Sequence, residues 1–491
     1  MGTLSCLLAA TASIAALTTG CALKPVQVTG KENNGSQSET AFTINRVGDV
    51  ARLTVAYNDG TDHPAIQYTA TTRVTKKGAT HMGWSHSTDY GATWSYGGRI
   101  TPTDNWPILW GDPGITHSER DQNFVYIANL GIPKAKLDAA PGGEISGAVN
   151  NYIGGGCIAR SNDGGQSFAL HQCVQTTEAS STGDFYDGGN MASDTQGNIY
   201  AGWVNADSNA VHIWRAIGEN SSFQKMANPF NDVMVSHPRL RVNLETNELI
   251  VMAMNVNGEL LMARWNGSSW GATWHTGMWP QSYPCITSTG ALCYSADPIV
   301  RTGPQFSFDI GSFGKSNDHI RIMFTRLSTL NGRLFIAGAG CNLDDQQCQY
   351  ISEWGTGEGD KDKVSASYNP LVRAYRSQEM ANKGEPSLWM GSHTTYFPGT
   401  GRVRHAMGGL AILKDQNGDV LFVHLALFQL ADQVLCADLR GYWGDYDDLQ
   451  ALGPIPGKSN VFARTFTDSS QGCNYRWQFT SSRVHVGFTG N

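Results

Sequence analysis

The chain has 491 residues, a formal net charge of −7 and few charged side chains, 16% of the total. No run of lysine and arginine forms a basic patch, which argues against nucleic acid as a partner. Glycine is abundant, at 56 copies, and suits many short strands joined by tight turns rather than long surface helices.

Residues Leu4 to Leu17 are small and apolar with no charge, and the run ends at Leu17-Thr18-Thr19-Gly20-Cys21. It is too short to cross a bilayer and reads as an export signal over 1–21. Its Gly20-Cys21 end is similar to a lipobox, which would make Cys21 a lipidated first residue. Residues 22–37 are polar and read as a linker or arm. The expectation is a secreted or cell-surface protein that meets a membrane only through a possible lipid anchor at Cys21. Eight cysteines follow in neighbouring pairs, an even count that fits an oxidising compartment. The pairs proposed are Cys157–Cys173, Cys285–Cys293, Cys341–Cys348 and Cys436–Cys473. No C-x-x-C occurs, so zinc and dithiol chemistry find no support.

From residue 38 onward the chain reads as one β-rich unit. Ser87-Thr88-Asp89-Tyr90-Gly91-Ala92-Thr93-Trp94 and Ser161-Asn162-Asp163-Gly164-Gly165-Gln166-Ser167-Phe168 share the form S-x-D-x-G-x-[ST]-[FW]. Asp bonds its own backbone a few residues on, and Gly accepts positive φ, so each copy is a hairpin corner. Ala216–Phe223 and Ala263–Trp270 keep fainter versions. Self-similarity at this spacing marks a repeat architecture. The motif resembles the Asp box, or BNR repeat, of the sialidase-like β-propellers. That resemblance implies an all-β propeller over 38–491, with the boxes on the outer rim of the blades.

A second feature counts the blades. An acidic residue or His, often followed by Pro or Gly, precedes a short apolar strand at Glu39, Asp112, Asp187, His237, Asp297, Glu385 and Asp445. Pro is tolerated at the first residue of a strand. A second strand follows most markers: Leu53–Tyr57, Phe124–Ala128, Ile199–Val204, Leu249–Met254, Ile320–Phe324, Val420–Ala426 and Val461–Phe466. Seven markers favour seven blades, with six, the sialidase number, as the alternative.

In a propeller the inner strands begin at one face, so the markers would converge around a channel mouth. Asp112, Asp187, Asp297, Glu385, Asp445 and Tyr446 are the candidate catalytic groups, because crowded carboxylates push each other's pKa values apart. Trp110, His237, Arg239, Arg301 and Trp443 are the candidate substrate-binding groups. The mouth would then be acidic. The plainer reading of each Asp is a turn former that accepts backbone N–H bonds. Trp84, Trp94, Trp203, Trp214, Trp265 and Trp270 read as blade core.

Resemblance to sialidases implies glycoside hydrolysis by a Tyr nucleophile with a Glu, an Asp acid/base, and three Arg that grip the substrate carboxylate. The family's Arg-Ile-Pro has no counterpart here. The nearest stretch is Ile44-Asn45-Arg46-Val47, and Arg239, Arg241, Arg301, Arg376, Arg402 and Arg404 are otherwise available. No G-x-S-x-G, P-loop or H-E-x-x-H occurs, and no cofactor or metal is implied. Two readings stand at this level: a diverged exo-glycosidase of the sialidase type, or a non-catalytic propeller that binds glycan or protein at the cell surface.

Overall fold

The computed structural model describes residues 25–29, 37–60, 74–75, 78–140, 142, 145–146, 153–175, 186–205, 210–230, 233, 235–281, 285–286, 292–293, 305–311, 319–327, 334–354, 366–385, 387–397, 402–414, 420–434, 448–454, 460–468 and 483–488. Among them the chain is almost entirely antiparallel sheet, with short helices at Lys134–Asp138 and Gln378–Asn382. Seven four-stranded sheets follow one another along the sequence. Their first, inner strands are Gln37–Val47, Ile108–His117, Tyr186–Ser193, Val235–Asn243, Phe306–Gly311, Ala366–Tyr375 and Leu449–Pro454. Each inner strand contacts the next, and the seventh contacts the first.

The seventh sheet takes its fourth strand from the other end of the chain. Val26–Gln27 pairs antiparallel with Arg483–Phe488, with Val26 opposite Val486. Val28 and Thr29 are both 1% exposed. Part of the 22–37 arm is therefore built into a sheet. The side of the first sheet shares one core cluster with this strand, including Phe42, Tyr57, Val484 and Val486. Burying such side chains contributes about 1.5–3 kcal/mol each, so the first and last sheets are joined by apolar packing as well as by hydrogen bonds.

The tandem boxes explain how neighbouring sheets are held at the rim. In the first sheet, Asp89 accepts from Ser87 Oγ at 2.7 Å, Thr93 N–H at 2.9 Å and Thr93 Oγ1 at 2.5 Å. In the second, Asp163 accepts from Ser161 Oγ at 2.7 Å, Gln166 N–H and Ser167 N–H at 3.0 Å, and Ser167 Oγ at 2.5 Å. Burial pushes each carboxyl up, but these donors outweigh it and hold both below the usual carboxylate range. Gly165, at φ 91, carries the left-handed turn; a Cβ there would stand 2.2 Å from Thr54 Oγ1 of the first sheet. Likewise a Cβ on Gly91 would strike the Phe488 ring of the seventh sheet.

The fainter copies grip the preceding sheet in their own ways. In the third sheet Gly218 stands at the Asp position, and the next residue, Glu219, pairs with Arg120 while its carbonyl accepts from Tyr126 OH at 2.8 Å. In the fourth, Asn266 Oδ1 accepts from Ser268 N–H at 3.0 Å and Ser269 N–H at 2.9 Å, and Trp270 Nε1 donates to Ala227 O at 2.8 Å. Trp84, Trp203 and Trp214 are buried core, while Trp94, Trp265 and Trp270 are partly buried against it.

Two cysteine pairs are bonded, Cys157–Cys173 and Cys341–Cys348. Cys285 lies opposite Cys293 in a two-residue ladder. Cys436, Cys473 and Cys21 lie outside the described residues.

The sixth sheet corrects the strand order read from sequence. Its second strand is Leu388–Phe397, and the stretch Val420–Ala426, expected as a second strand, belongs to its fourth, Val420–Val434. Asp163→Ala removes four acceptor contacts at the rim. It is expected to lower stability by about 1–2 kcal/mol in chemical denaturation and to leave ligand binding per folded molecule unchanged. Asp163 stability is present at neutral pH and lost as pH falls through the depressed carboxyl pKa, so the wild-type minus Asp163→Ala difference should vanish in acid.

Candidate functional site

The recurring marker residues have a common structural cause. Glu39, Asp112 and His237 all adopt left-handed backbone, at φ 51, 54 and 55. Each sits at a bulge where the register of an inner strand shifts: Ser38/Thr40, Gly111/Gly114 and Ser236/Arg239. Asp187 starts the equivalent shift in the third sheet, and Tyr368/Leu371 holds it in the sixth. Glu39, Asp112, Asp187 and His237 are thus bulge positions that re-aim the inner strand. Glu39 is 1% exposed and accepts from the Asn58 amide, and Asn58 Oδ1 accepts the Asp112 N–H at 2.9 Å. That clasp ties the first sheet to the second, so Glu39 is structural.

Glu385 is a correction. It follows the Gln378–Asn382 helix and leads into the second strand of the sixth sheet, at the opposite end of the inner strand from the Tyr368/Leu371 bulge. Its Pro follows a helix, which is why it mimics a strand-opening marker. Asp297, Arg301, Trp443, Asp445 and Tyr446 lie outside the described residues. Trp110 is half-buried, edge-on to His81 with ring centroids 4.4 Å apart.

Beyond the bulges, the seven inner strands enclose a cavity of about 480 Å³. Alternation along each strand turns every second side chain to this side. Arg239 and Arg241 line it from the fourth sheet, Asp309 from the fifth, Arg373 and Tyr375 from the sixth. Asp112 and His237 are not part of its wall. The described wall carries five arginines, Arg46, Arg239, Arg241, Arg373 and Arg376, against three carboxylates, Glu119, Asp309 and Asp448. The surplus is two positive charges on a protein whose net charge is −7. Among the described residues the wall of this cavity is arginine-rich, while Asp297 and Asp445, two of the carboxylates expected at an acidic mouth, lie outside them.

The charges alternate around half the wall. Arg241 Nε stands 3.5 Å from Asp309 Oδ1, and Arg373 Nη2 stands 3.0 Å from Asp448 Oδ1. Each carboxylate also holds the next sheet. Asp309 Oδ2 accepts from Ala374 N–H at 2.8 Å, and Asp448 Oδ2 accepts from Phe42 N–H at 3.0 Å. Gln450 Nε2 donates to Phe42 O at 2.7 Å. The fourth through seventh sheets and the first are thus laced together by the groups that orient the arginines.

The other half of the wall is hydroxyl-rich and uncharged apart from Glu119 and Arg46. Thr43 Oγ1 lies 2.9 Å from His117 Nδ1, and Ser193 Oγ donates to His117 O at 2.5 Å. Burial pushes the Arg241 guanidinium down to about 9, Arg373 adds to the fall, and Asp309 and Asp448 pull the other way. Its Nη1 donates to Leu240 O at 2.7 Å, while Nε, 3.5 Å from Asp309, makes no hydrogen bond. Arg241 is a largely buried cation with incomplete neutralisation, and a bound anion would supply the remainder. Burial raises the Tyr375 phenol, with nearby Arg46 opposing it.

No protein family matches the chain, and no curated protein sequence does. Solved structures resemble it distantly. A protein of unknown function from Dyadobacter fermentans is 12% identical, with 77% of this chain and 96% of that one covered and a TM-score of 0.40. The α-L-arabinofuranosidase Arb93A of Fusarium graminearum is 10% identical, with 95% and 97% covered and a TM-score of 0.41. A Hadza microbial sialidase is 13% identical, with 75% and 65% covered and a TM-score of 0.41. Likeness at this level leaves the weight of any functional reading on the cavity itself.

Asp448→Ala strips the Phe42 contact and leaves Arg373 without this counter-charge. Breaking such a pair is expected to cost about 3–5 kcal/mol, measured by urea unfolding. A loss below about 1 kcal/mol, the scale of an exposed pair, would contradict the assigned role.

Proposed function

We propose that the chain is an exported, seven-bladed β-propeller of the sialidase-like class that binds the carboxylate of an acidic glycan in its central cavity. The observation that carries this reading is the convergence of Arg239, Arg241 and Arg373 on one cavity. Guanidinium forks recognise carboxylates bidentately, and the facing wall of Thr43, Thr116 and Ser193 offers partners for sugar hydroxyls. The Asp-box rim, the apolar leader ending at Cys21 and the two disulfides support export, with a lipid anchor at Cys21 as the route to the cell surface.

Binding without turnover is favoured over hydrolysis. Asp309 and Asp448 each face an arginine and accept a backbone N–H, which commits them to holding the wall. Hydrolysis is the second reading, because Tyr375 also lines the cavity and a Tyr nucleophile is one known glycosidase solution.

Calorimetric titration with sialic and uronic sugars, beside their methyl esters, tests the proposal. The esters keep the shape and lose the charge, so they are expected to bind at least about tenfold more weakly, the scale of one charge-assisted hydrogen bond. Equal binding of acid and ester would overturn it, and released free sugar would establish hydrolysis. A ligand carboxylate favours the cationic form of Arg241, whose guanidinium burial pushes down to about 9. Affinity is therefore expected to hold through neutral pH and to fall as pH rises through about 9, by at most about tenfold per pH unit. In Arg241→Gln that alkaline fall should disappear along with most of the affinity.

A further inference from the structure

The hydroxyl half of the cavity wall holds one titratable ring that the arginines do not use. His117 ends the inner strand of the second sheet, and it lines the cavity together with Thr43 and Glu119. Thr43 Oγ1, on the inner strand of the first sheet, stands 2.9 Å from Nδ1 of the ring, and Glu119 Oε1 stands 3.4 Å from Nε2. The backbone of His117 is held from the third sheet, because its carbonyl accepts from Ser193 Oγ at 2.5 Å. Thr43 is 4% exposed, whereas the side chains of His117 and Glu119 are 16% and 27% exposed. The ring is thus fixed where three sheets meet and still opens onto the cavity.

The two neighbours decide where the proton of the neutral ring sits. Ionised Glu119 can only accept, so Nε2 carries the hydrogen and Nδ1 is left as an acceptor. The Thr43 hydroxyl has a single hydrogen, which it then donates to Nδ1, so it offers the cavity only lone pairs. Protonating the ring reverses this. Nδ1 becomes a donor, Thr43 Oγ1 accepts, and the hydroxyl hydrogen is released to point at a ligand. The same event adds a positive charge to the wall. One proton therefore converts Thr43 from an acceptor into a donor and makes its surroundings cationic.

The other charged groups on the elements packed around His117 are engaged elsewhere. Arg46, on the first sheet, stands near enough to Tyr375 to oppose the rise of its phenol. Arg52, on the same sheet, donates to the Asp163 carbonyl. Arg120 pairs with Glu219 of the third sheet, and Asp121 accepts from Asn123 N–H. Asp194 accepts from the Gln196 and Asn198 N–H groups of its own turn. Among the described residues Glu119 is the charged partner within ion-pair distance of the ring.

We propose that His117 is a specificity-determining residue of the cavity, which turns the Thr43 hydroxyl toward an acidic ligand and couples its binding to uptake of a proton. This rests on the reading of the cavity as a site for an acidic glycan. Histidine is the side chain whose ordinary charge change falls between about pH 5 and 8. A ligand that favours the charged ring binds more tightly where the ring is charged. Affinity therefore gains as pH falls through that range, and the gain is lost as pH rises through it. It is separate from the alkaline fall assigned to Arg241.

The test titrates sialic acid and glucuronic acid calorimetrically at about pH 5.5 and about pH 7.5, either side of the usual histidine range, in buffers of different ionisation enthalpy. The acid-side affinity is expected to be higher by on the order of tenfold, the scale of one charge-assisted hydrogen bond, with net proton uptake on binding. His117→Gln and Thr43→Val should flatten the profile, and Thr43→Ser should keep it, with folding checked by circular dichroism. A merely structural role would lower affinity equally at both pH values. Nitrogen NMR of the histidine rings gives a reading that needs no sugar. At about pH 8, where histidine is ordinarily neutral, the His117 ring, assigned by its loss in His117→Gln, is expected as the Nε2–H tautomer. Glu119→Gln should shift it toward Nδ1–H. A wild-type ring that is already Nδ1–H, or an affinity that is the same at both pH values, overturns the proposal and leaves the acidic-ligand reading standing. Absence of binding by either acid at both pH values overturns the two together.

Discussion

The side chain of Asp448 is the contact on which the rest depends. It receives the Phe42 N–H from the first sheet and the Arg373 guanidinium from the sixth, each at 3.0 Å. One carboxylate therefore joins the beginning of the β-rich region to its end and sets the direction of a cavity arginine. Its side chain is 16% exposed, so the pair is poorly screened and neither partner is easily rehydrated. Asp309 repeats the arrangement two sheets earlier, between Arg241 and Ala374. The ring of sheets and the basic wall are thus products of the same two carboxylates, and binding chemistry and stability cannot be altered separately there.

A consequence is that the cavity is pre-organised and electrostatically unbalanced. Burying Arg241 beside Arg373 disfavours its charge, which is why its guanidinium falls to about 9. An anion placed beside it recovers that cost, whereas water recovers only part of it. The opposite wall of threonine and serine hydroxyls gives an occupying molecule two unlike faces to satisfy, one charged and one hydroxylated. In the proposed function, that division is the reason an acidic sugar is preferred to a simple inorganic anion.

Local chemistry was legible in the sequence and long-range convergence was not. The boxes at Ser87–Trp94 and Ser161–Phe168 close on themselves within eight residues, so their hydrogen bonds follow from residue order alone. Four markers, Glu39, Asp112, Asp187 and His237, fall at register shifts of inner strands, because such a bulge takes a residue that tolerates a left-handed backbone or a break in pairing. Glu385-Pro386 misled because a proline after a helix looks the same as a proline before a strand. The basic wall depends on Arg241 and Arg373, 132 positions apart, lining one cavity, a convergence that no local pattern encodes. A signal was still present: Arg239-Leu240-Arg241 and Arg373-Ala374-Tyr375 alternate polar with apolar inside strands otherwise built of buried residues. Alternation of that kind, in a strand already placed against a channel, marks side chains that line it. Asp448 stood within the Asp445-Tyr446-Asp447-Asp448 run, one residue before its strand, and was hidden by its neighbours.

The most direct test of the central claim is a crystal structure of the protein soaked with an acidic monosaccharide. The account predicts the ligand carboxylate within hydrogen-bonding distance of Arg241 and of Arg239 or Arg373, with the sugar hydroxyls turned toward Thr43, Thr116 and Ser193. Density for the sugar elsewhere on the molecule, with the Arg241 guanidinium still facing only Asp309, would contradict it.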